Sequence, residues 1–217
     1  MLHRRNFFRV LGSSCIAGLP LFTARNVLGK LACTPFNQFG VQGCEAGIDS
    51  SLFSVKAFDT QHATEWCWAA SIEMVFAYYG FRVPQDRIVK ETWGEIVNLP
   101  AMSPFQILND LNREWVDDNG KAFRAFGTTY TANPITAAQD LAADMPLIIG
   151  TLGHAMVLTA LVYNRNLYGA GFVTSAVVRD PWPRPGFVDG RRILAAQEWG
   201  NTSFLVRIRV QTIKPTE

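Results

Sequence analysis

The sequence predicts an α+β protein in which a buried central helix packs against an antiparallel β-sheet. Three observations support this class. Residues 67–79 are apolar on nearly every side of a helical wheel, residues 83–141 show helical spacing and capping signals, and residues 146–210 read as short strands. A run of helices followed by strands that are joined by turns is typical of proteins whose helices lie beside an antiparallel sheet.

The composition fits one globular domain, alone or with a targeting segment. Of the 217 residues, 48% are hydrophobic and 18% are charged, which excludes a disordered protein. The formal net charge is +2, and part of it lies in the first ten residues, so no nucleic-acid partner is predicted. No run of about 18 apolar residues occurs, so we expect no membrane span in the mature chain. With three histidines and no Cys-x-x-Cys motif, no metal site is predicted.

Residues 1–32 have the features of an export signal. A basic start is followed by a modest apolar stretch from Val10 to Phe22, which suits a signal sequence and is short for a membrane span. Arg4-Arg5-Asn6-Phe7-Phe8 resembles the twin-arginine export motif of bacteria. An ordinary secretory signal is the alternative. Export predicts a periplasmic or secreted protein, and a leader that is not cleaved could anchor it.

The cysteines suit an oxidising compartment. Cys33 and Cys44 lie in a polar N-terminal extension, residues 33–59, where they could form a disulfide or stay free. A short strand is predicted near residues 51–58. Cys67 is then the unpaired cysteine of the mature chain, and a free cysteine in an exported protein is a candidate reactive thiol.

Cys67 lies at the predicted start of the central helix. That helix is expected to end at Gly80, because glycine readily adopts the left-handed conformation that terminates helices. Unpaired N–H groups and the helix dipole at the N-terminus favour a thiolate, which is the nucleophilic form of cysteine. The alternative is that Cys67 only packs, as a lone cysteine in an apolar helix usually does.

The middle of the chain is predicted to be helical. Ser103 to Gln106 form a capping box with proline at the first helical position, and Asn119-Gly120 is interpreted as the end of that helix. Trp115 and the other large side chains of this region are expected to pack. The predicted helices span residues 83–92, 104–119 and 134–145.

The last third is predicted to be a sheet. Its final strand is expected to lie at an edge, because Arg207 and Arg209 alternate with apolar residues and would face solvent. The predicted strands span residues 146–151, 154–163, 171–179 and 204–210.

The residues around Cys67 resemble an active-site segment of papain-like cysteine peptidases. Gln61 precedes Cys67 by six positions, and Cys67 is followed by Trp68, Ala69 and, after one residue, a serine. In that family the glutamine side chain and the cysteine N–H form the oxyanion hole. The resemblance therefore implies that Cys67 is the nucleophile and that Gln61 stabilises the oxyanion.

Two later segments resemble the rest of that active site, in the same order. Gly153-His154-Ala155 is similar to the family's histidine segment, and Asp180-Pro181-Trp182 is similar to its Asn-Ser-Trp segment, with Asp in place of Asn. Of the other histidines, His3 is in the signal and His62 is adjacent to Gln61. The resemblance implies that His154 is the general base and that Asp180 orients it, with Trp68 and Trp182 as substrate or shielding residues.

The resemblance covers about residues 60–182 and implies a papain-like fold, with a half-barrel sheet, for residues 60–217. Together with the predicted export signal, it implies an exported peptidase that acts on peptides or proteins and needs no cofactor. Two alternatives stay open. The same triad could serve an acyltransferase, a transglutaminase-like enzyme or a peptidoglycan amide hydrolase, and a degenerate papain-like fold could serve only for binding.

Overall fold

The computed structural model describes residues 30–53, 57–186 and 188–213. Apart from its last three residues, the predicted export signal lies outside the described residues. No helix in these ranges is long and apolar enough to cross a membrane. The described elements, in chain order, are β1 Lys30–Cys33, β2 Val41–Gly47, α1 Ser50–Leu52, α2 Cys67–Tyr78, α3 Gln85–Trp93, α4 Pro104–Leu111, β3 Glu114–Val116, β4 Ala122–Tyr130, α5 Pro134–Ala142, β5 Leu147–Thr151, β6 His154–Asn166, β7 Gly171–Arg179, β8 Arg191–Ile193, α6 Ala196–Gly200 and β9 Thr202–Thr212.

The described strands form one antiparallel sheet that is organised around the long strand β6. One edge of β6 pairs with β7, and the other edge pairs first with β5 and then with β2. The sheet continues from β5 through β9 to β4 and β3, while β1 lies outside β2. The predicted α+β class, with the cysteine helix packed against an antiparallel sheet, is confirmed.

The central helix α2 follows its predicted bounds closely. It begins at Cys67 and ends at Tyr78, and Gly80 has a φ of 86°. The N–H groups of Gly80 and Phe81 donate to carbonyls of the last helical turn, as expected of a glycine-terminated helix. Most α2 side chains are buried, and the helix packs mainly on β6. Burial on nearly all sides explains why the sequence shows no polar face.

The helix predicted for residues 104–119 is wrong in its second half. α4 ends at Leu111, and a hairpin of β3 and β4 follows. Trp115 lies on β3, where it is buried with its ring 5.4 Å from that of Phe76 in α2. The Asp117 side chain accepts the N–H of Asn119 at 2.9 Å. Asn119-Gly120 is therefore a hairpin turn and not a helix end, which is the other structure that an Asn-Gly pair favours.

The final strand is not an edge strand, which corrects a second prediction. β9 lies between β5 and β4 and pairs with both. The Arg207 side chain does not simply face solvent, because its Nε lies 2.8 Å from Asp140 Oδ1 on α5 and its guanidinium stacks over the Tyr130 ring. An acidic helix residue and an aromatic ring thus accommodate an arginine on an interior strand.

The N-terminal extension contributes to the sheet. β1 and β2 form a hairpin, and β2 pairs with β6. Cys33 and Cys44 are paired positions of this hairpin and are joined by a disulfide. The strand predicted near residues 51–58 is wrong at its start, because Ser50–Leu52 is a short helix.

Replacing both Cys33 and Cys44 by serine is expected to lower the free energy of unfolding by about 2–3 kcal/mol, because the bridge closes a loop in the unfolded chain. The sequence separation of the two cysteines is 11. Chemical denaturation of the oxidised proteins measures the difference. Reductant should weaken the parent chain to the same extent and leave the variant unaffected. Equal stability of the two oxidised proteins would contradict this expectation.

Candidate active site

The thiol of Cys67 lies where the fold favours negative charge. Cys67 is the first residue of α2, and no side chain caps this helix N-terminus. The first-turn N–H groups and the helix dipole therefore act on the region of the sulfur. The N–H of Ala155, at the start of β6, also points to Sγ, with an N–S distance of 3.5 Å. Both features place N–H donors at the sulfur of Cys67.

Two tryptophans fix the start of the helix against the loop that precedes α4. The indole N–H of Trp66 donates to the carbonyl of Val97 at 2.8 Å, and that of Trp68 donates to the carbonyl of Leu99 at 3.1 Å. Trp68 is almost completely buried. Its contribution is therefore to hold this loop beside Cys67, with its ring forming part of a cavity wall.

A tight hairpin presents His154 at the first position of β6. Leu152 and Gly153 connect β5 to β6, and both have positive φ values, 50° and 78°. This is the backbone of the two-residue turns that suit the twist of antiparallel strands. His154 consequently lies opposite Thr151 and lines the same cavity as Cys67.

Asp180 follows the last residue of β7, the strand that pairs with β6. Its Oδ1 lies 2.7 Å from Nε2 of His154 and accepts the N–H of Trp182 at 2.9 Å. Burial alone would raise the pKa of Asp180, but the hydrogen bonds from His154, Trp182 and Arg192 outweigh it and lower the pKa to about 2. Asp180 is therefore ionised at neutral pH.

The imidazole of His154 responds in the opposite direction. Burial would lower its pKa, but the hydrogen bonds to Asp180 and Cys67 and the attraction of their charges raise the pKa to about 9. The raised value favours imidazolium at neutral pH. The site thus holds the Cys67 sulfur, an imidazolium and an ionised carboxylate in sequence.

Trp182 covers only part of this group. Its ring meets that of His154 edge to face, with ring centroids 6.4 Å apart. Trp182 is 44% exposed. The tryptophan therefore shields one side of the imidazole from water and leaves the rest of its own surface free.

Gln61 is near the site, but its side chain serves the loop before α2. Its Nε2 donates to the carbonyls of Ala63 and Thr64 at 2.9 and 2.8 Å, and its Oε1 is buried with no hydrogen-bond partner among the described residues. Its backbone N–H donates to the carbonyl of Pro181 at 2.8 Å, next to Asp180. Both amide hydrogens are in use, so the oxyanion role of Gln61 stays a prediction.

Gln85 is a residue of this region that sequence reasoning missed. It is fully buried at the start of α3, where its side chain accepts the N–H of His62 and donates to the carbonyl of Thr60. It therefore holds the peptide groups on both sides of Gln61. Gln85 also donates to Glu73 of α2 at 2.8 Å, and burial raises the pKa of Glu73 to about 7.

An apolar cavity of about 220 Å³ opens beside Cys67 and His154. Its other side is formed by Phe204 of β9, whose ring lies directly over Gly150, so that a Cβ on Gly150 would be 2.2 Å from the ring. The cavity can accept an apolar side chain of a bound peptide. Among the described residues, no group of three or more His, Cys, Asp or Glu side chains could hold a metal ion. The remaining wall is formed by Trp68, residues 100–104, Ile107, Thr151, Gly153, Ala155 and Ser203.

Comparison with known proteins agrees with this geometry. The family described as "Peptidase_C39 like family" matches residues 55–202, which contain all four proposed catalytic residues. No curated protein matches the sequence. A crystal structure of UfSP from C. elegans is similar with 13% sequence identity and a TM-score of 0.42, over 90% of this chain and 36% of that chain, a likeness too weak to support an inference. Because the family match spans more than half of its residues, the chain belongs to the Peptidase_C39-like family, within the papain-like cysteine peptidase superfamily.

Proposed function

We propose that the protein is an exported cysteine peptidase that hydrolyses peptide bonds through Cys67, His154 and Asp180. The observation that carries the proposal is the placement of His154, with Nε2 2.7 Å from a buried Asp180 and with its ring lining the same cavity as Cys67, whose sulfur accepts the N–H of the adjacent Ala155 at 3.5 Å. A histidine held in this way can take the thiol proton and keep it until a leaving group needs it.

The reaction proceeds in two steps. The Cys67 thiolate attacks the carbonyl carbon, so that a C–S bond forms and the carbonyl electrons move to oxygen. When the carbonyl re-forms, the C–N bond breaks and the leaving amine takes the proton of His154. Water then attacks the thioester, His154 removes its proton, and the thiolate leaves with the acid as product.

The oxyanion is stabilised near the start of α2. The Cys67 N–H is one donor, since it lies at the helix N-terminus. Gln61 becomes the second donor when substrate replaces one of its two loop carbonyls, Ala63 or Thr64. Donors of this kind contribute on the order of a few kcal/mol each to the transition state.

The substrate is a peptide or protein with an apolar side chain near the cleaved bond. The cavity between Trp68 and Phe204 supports this, because its wall is largely apolar and it opens at Cys67. Residues 1–32 resemble an export signal, and the Cys33–Cys44 disulfide is compatible with an oxidising compartment. We therefore propose that the enzyme acts in the periplasm or outside the cell.

Alkylation of Cys67 by iodoacetamide across pH tests this proposal without a known substrate. We expect rapid labelling of the mature protein well below pH 8.5, about the ordinary pKa of a thiol. Cys67→Ala should not be labelled, and His154→Ala should be labelled only as fast as a free cysteine. Labelling of the parent protein at the free-cysteine rate would contradict the proposed function.

The pH dependence of kcat/KM should show a fall as pH rises through about 9. The raised pKa of His154 means that its proton, which the leaving amine needs, is present below that value and lost above it. Asp180→Ala should shift this fall toward lower pH, because the hydrogen bond and charge that raise the pKa are removed. An alkaline limb that Asp180→Ala leaves in place would contradict the coupling of the two residues.

A further inference from the structure

The second oxygen of Asp180 has a largely enclosed partner. Oδ1 is occupied by His154 and by the N–H of Trp182, and Oδ2 accepts a hydrogen bond from Nε of Arg192 at 2.7 Å. We propose that Arg192, held by Glu198, is a positioning residue that fixes the Asp180 carboxylate against His154 and makes a carboxylate necessary at position 180. This inference rests on the proposed function.

Arg192 is itself held rigidly. Its two terminal nitrogens donate to the two carboxylate oxygens of Glu198, at 2.8 and 2.7 Å, in the paired geometry that guanidinium and carboxylate groups favour. One of these nitrogens also lies 3.1 Å from the sulfur of Met156 on β6. The Arg192 side chain is 13% exposed. Because Glu198 and Met156 hold its far end, its Nε is directed at Asp180.

Glu198 is also restrained. One of its carboxylate oxygens accepts the N–H of Ala195 at 2.8 Å, at the start of α6. The Glu198 carbonyl accepts the hydroxyl hydrogen bond of Thr151, the residue opposite His154 in the β5–β6 hairpin. The segment that carries Arg192 and Glu198 is thus attached to β5 through Thr151 and to β6 through Met156.

Arg184 provides a natural comparison at the same oxygen. It lies 3.3 Å from Oδ2 of Asp180, but its side chain is 44% exposed, against 3% for that of Asp180. An exposed pair of this kind contributes little, because water screens it and the arginine keeps its freedom. Arg192 and Arg184 therefore carry the same charge near the same carboxylate, and only Arg192 can fix its orientation.

Asparagine at position 180 would conflict with Arg192. If its oxygen faced His154, its NH₂ group would face the Nε–H of Arg192, and two donors would oppose each other. If the amide turned over, its NH₂ group would face Nε2 of His154, and the imidazole would be held in the wrong tautomer. Arg192 thus explains why residue 180 is Asp, although the Asn-Ser-Trp motif that this segment resembles has Asn at that position.

A double-mutant cycle on Cys67 alkylation near neutral pH tests this proposal. Asp180→Asn should reduce the second-order rate by about 10- to 100-fold, as expected for loss of a hydrogen bond to a charged group. Arg192→Gln should cost less than about tenfold, because its amide can occupy the place of Nε and donate to Asp180. The double variant should react at least about threefold faster than Asp180→Asn alone, since the glutamine oxygen can accept from the new NH₂ group.

The controls separate positioning from charge and from folding. Arg184→Gln removes an equal charge and should change the rate by less than about threefold. Near-ultraviolet circular dichroism and the unfolding midpoint verify that each variant is folded. If the double variant does not fold, Arg192→Met and Arg184→Met are compared instead. We then expect a loss of about 10- to 100-fold for the former and less than about threefold for the latter.

Two results would overturn the inference. The first is a folded double variant that is no faster than Asp180→Asn, and the second is an equal effect of Arg192→Met and Arg184→Met. Failure of the proposed function looks different, because the parent protein would then already react at the free-cysteine rate. Rescue of Asp180→Asn by a second substitution is a result that a merely structural role of Arg192 would not produce.

Discussion

Cys67→Ala is expected to lower kcat/KM for peptide hydrolysis by at least about 10⁴-fold, because alanine has no atom that can form the thioester. The fold should persist. The thiol is only partly buried, and the hydrogen bond that it accepts from the N–H of Ala155 is long, at 3.5 Å. We expect the free energy of unfolding to change by less than about 1 kcal/mol. Steady-state kinetics on a peptide library and thermal unfolding measure the two effects.

The matched control for Cys67→Ala is the double variant that carries both Cys33→Ser and Cys44→Ser. It removes two sulfur atoms on β1 and β2, and neither strand contributes to the cavity beside Cys67. Below its unfolding temperature this control should keep its activity, while Cys67→Ala should lose it. Full turnover by folded Cys67→Ala would remove Cys67 from the mechanism, and the same triad could then not serve acyl transfer either.

His154→Ala is the second substitution with a large expected effect. We expect kcat/KM to fall by at least about 10³-fold, because the Cys67 thiol loses the base that takes its proton and the leaving amine loses the acid that protonates it. Cys67 and His154 act as one unit, so the double variant should be about as inactive as Cys67→Ala alone. Kinetics of the three variants under one set of conditions test both statements.

His62→Ala is the control for His154→Ala. His62 is the other described histidine, and its side chain is about half exposed, with Nε2 3.3 Å from Oδ2 of Asp59. Its backbone N–H, and not its ring, makes the hydrogen bond to Gln85. Activity should therefore stay within about twofold of the parent. If His62→Ala and His154→Ala lost activity equally, the assignment of the base to His154 would be wrong.

The sequence predicted those parts of the fold that local patterns encode. Helix α2 was predictable because a helix without a polar face must be buried, and Gly80 marks its end. Residues 112–130 were not, because Asn119-Gly120 favours a helix end and a hairpin turn alike. The alternation around Arg207 predicted an edge strand, but the partners of that arginine, Asp140 and Tyr130, are distant in sequence.

The same distinction holds at the candidate site. Short motifs around Cys67, His154 and Asp180 predicted three side chains that the fold does bring together. Gln85 and Arg192 belong to no motif. Their importance comes from where their chain segments meet the site in three dimensions, and neither spacing nor residue type could indicate it.

The position of β6 has a consequence for how the site opens. Both edges of β6 are paired and α2 covers it, so its amide hydrogens should exchange with solvent only when the whole domain unfolds. Cys67 and His154 begin these two elements. Asp180 instead lies after the end of β7, in the segment that leads to β8. The short strand β8 attaches that segment to the sheet by pairing with β7. Mild denaturant should therefore release the carboxylate first, while thiol and imidazole remain together in one cooperative unit.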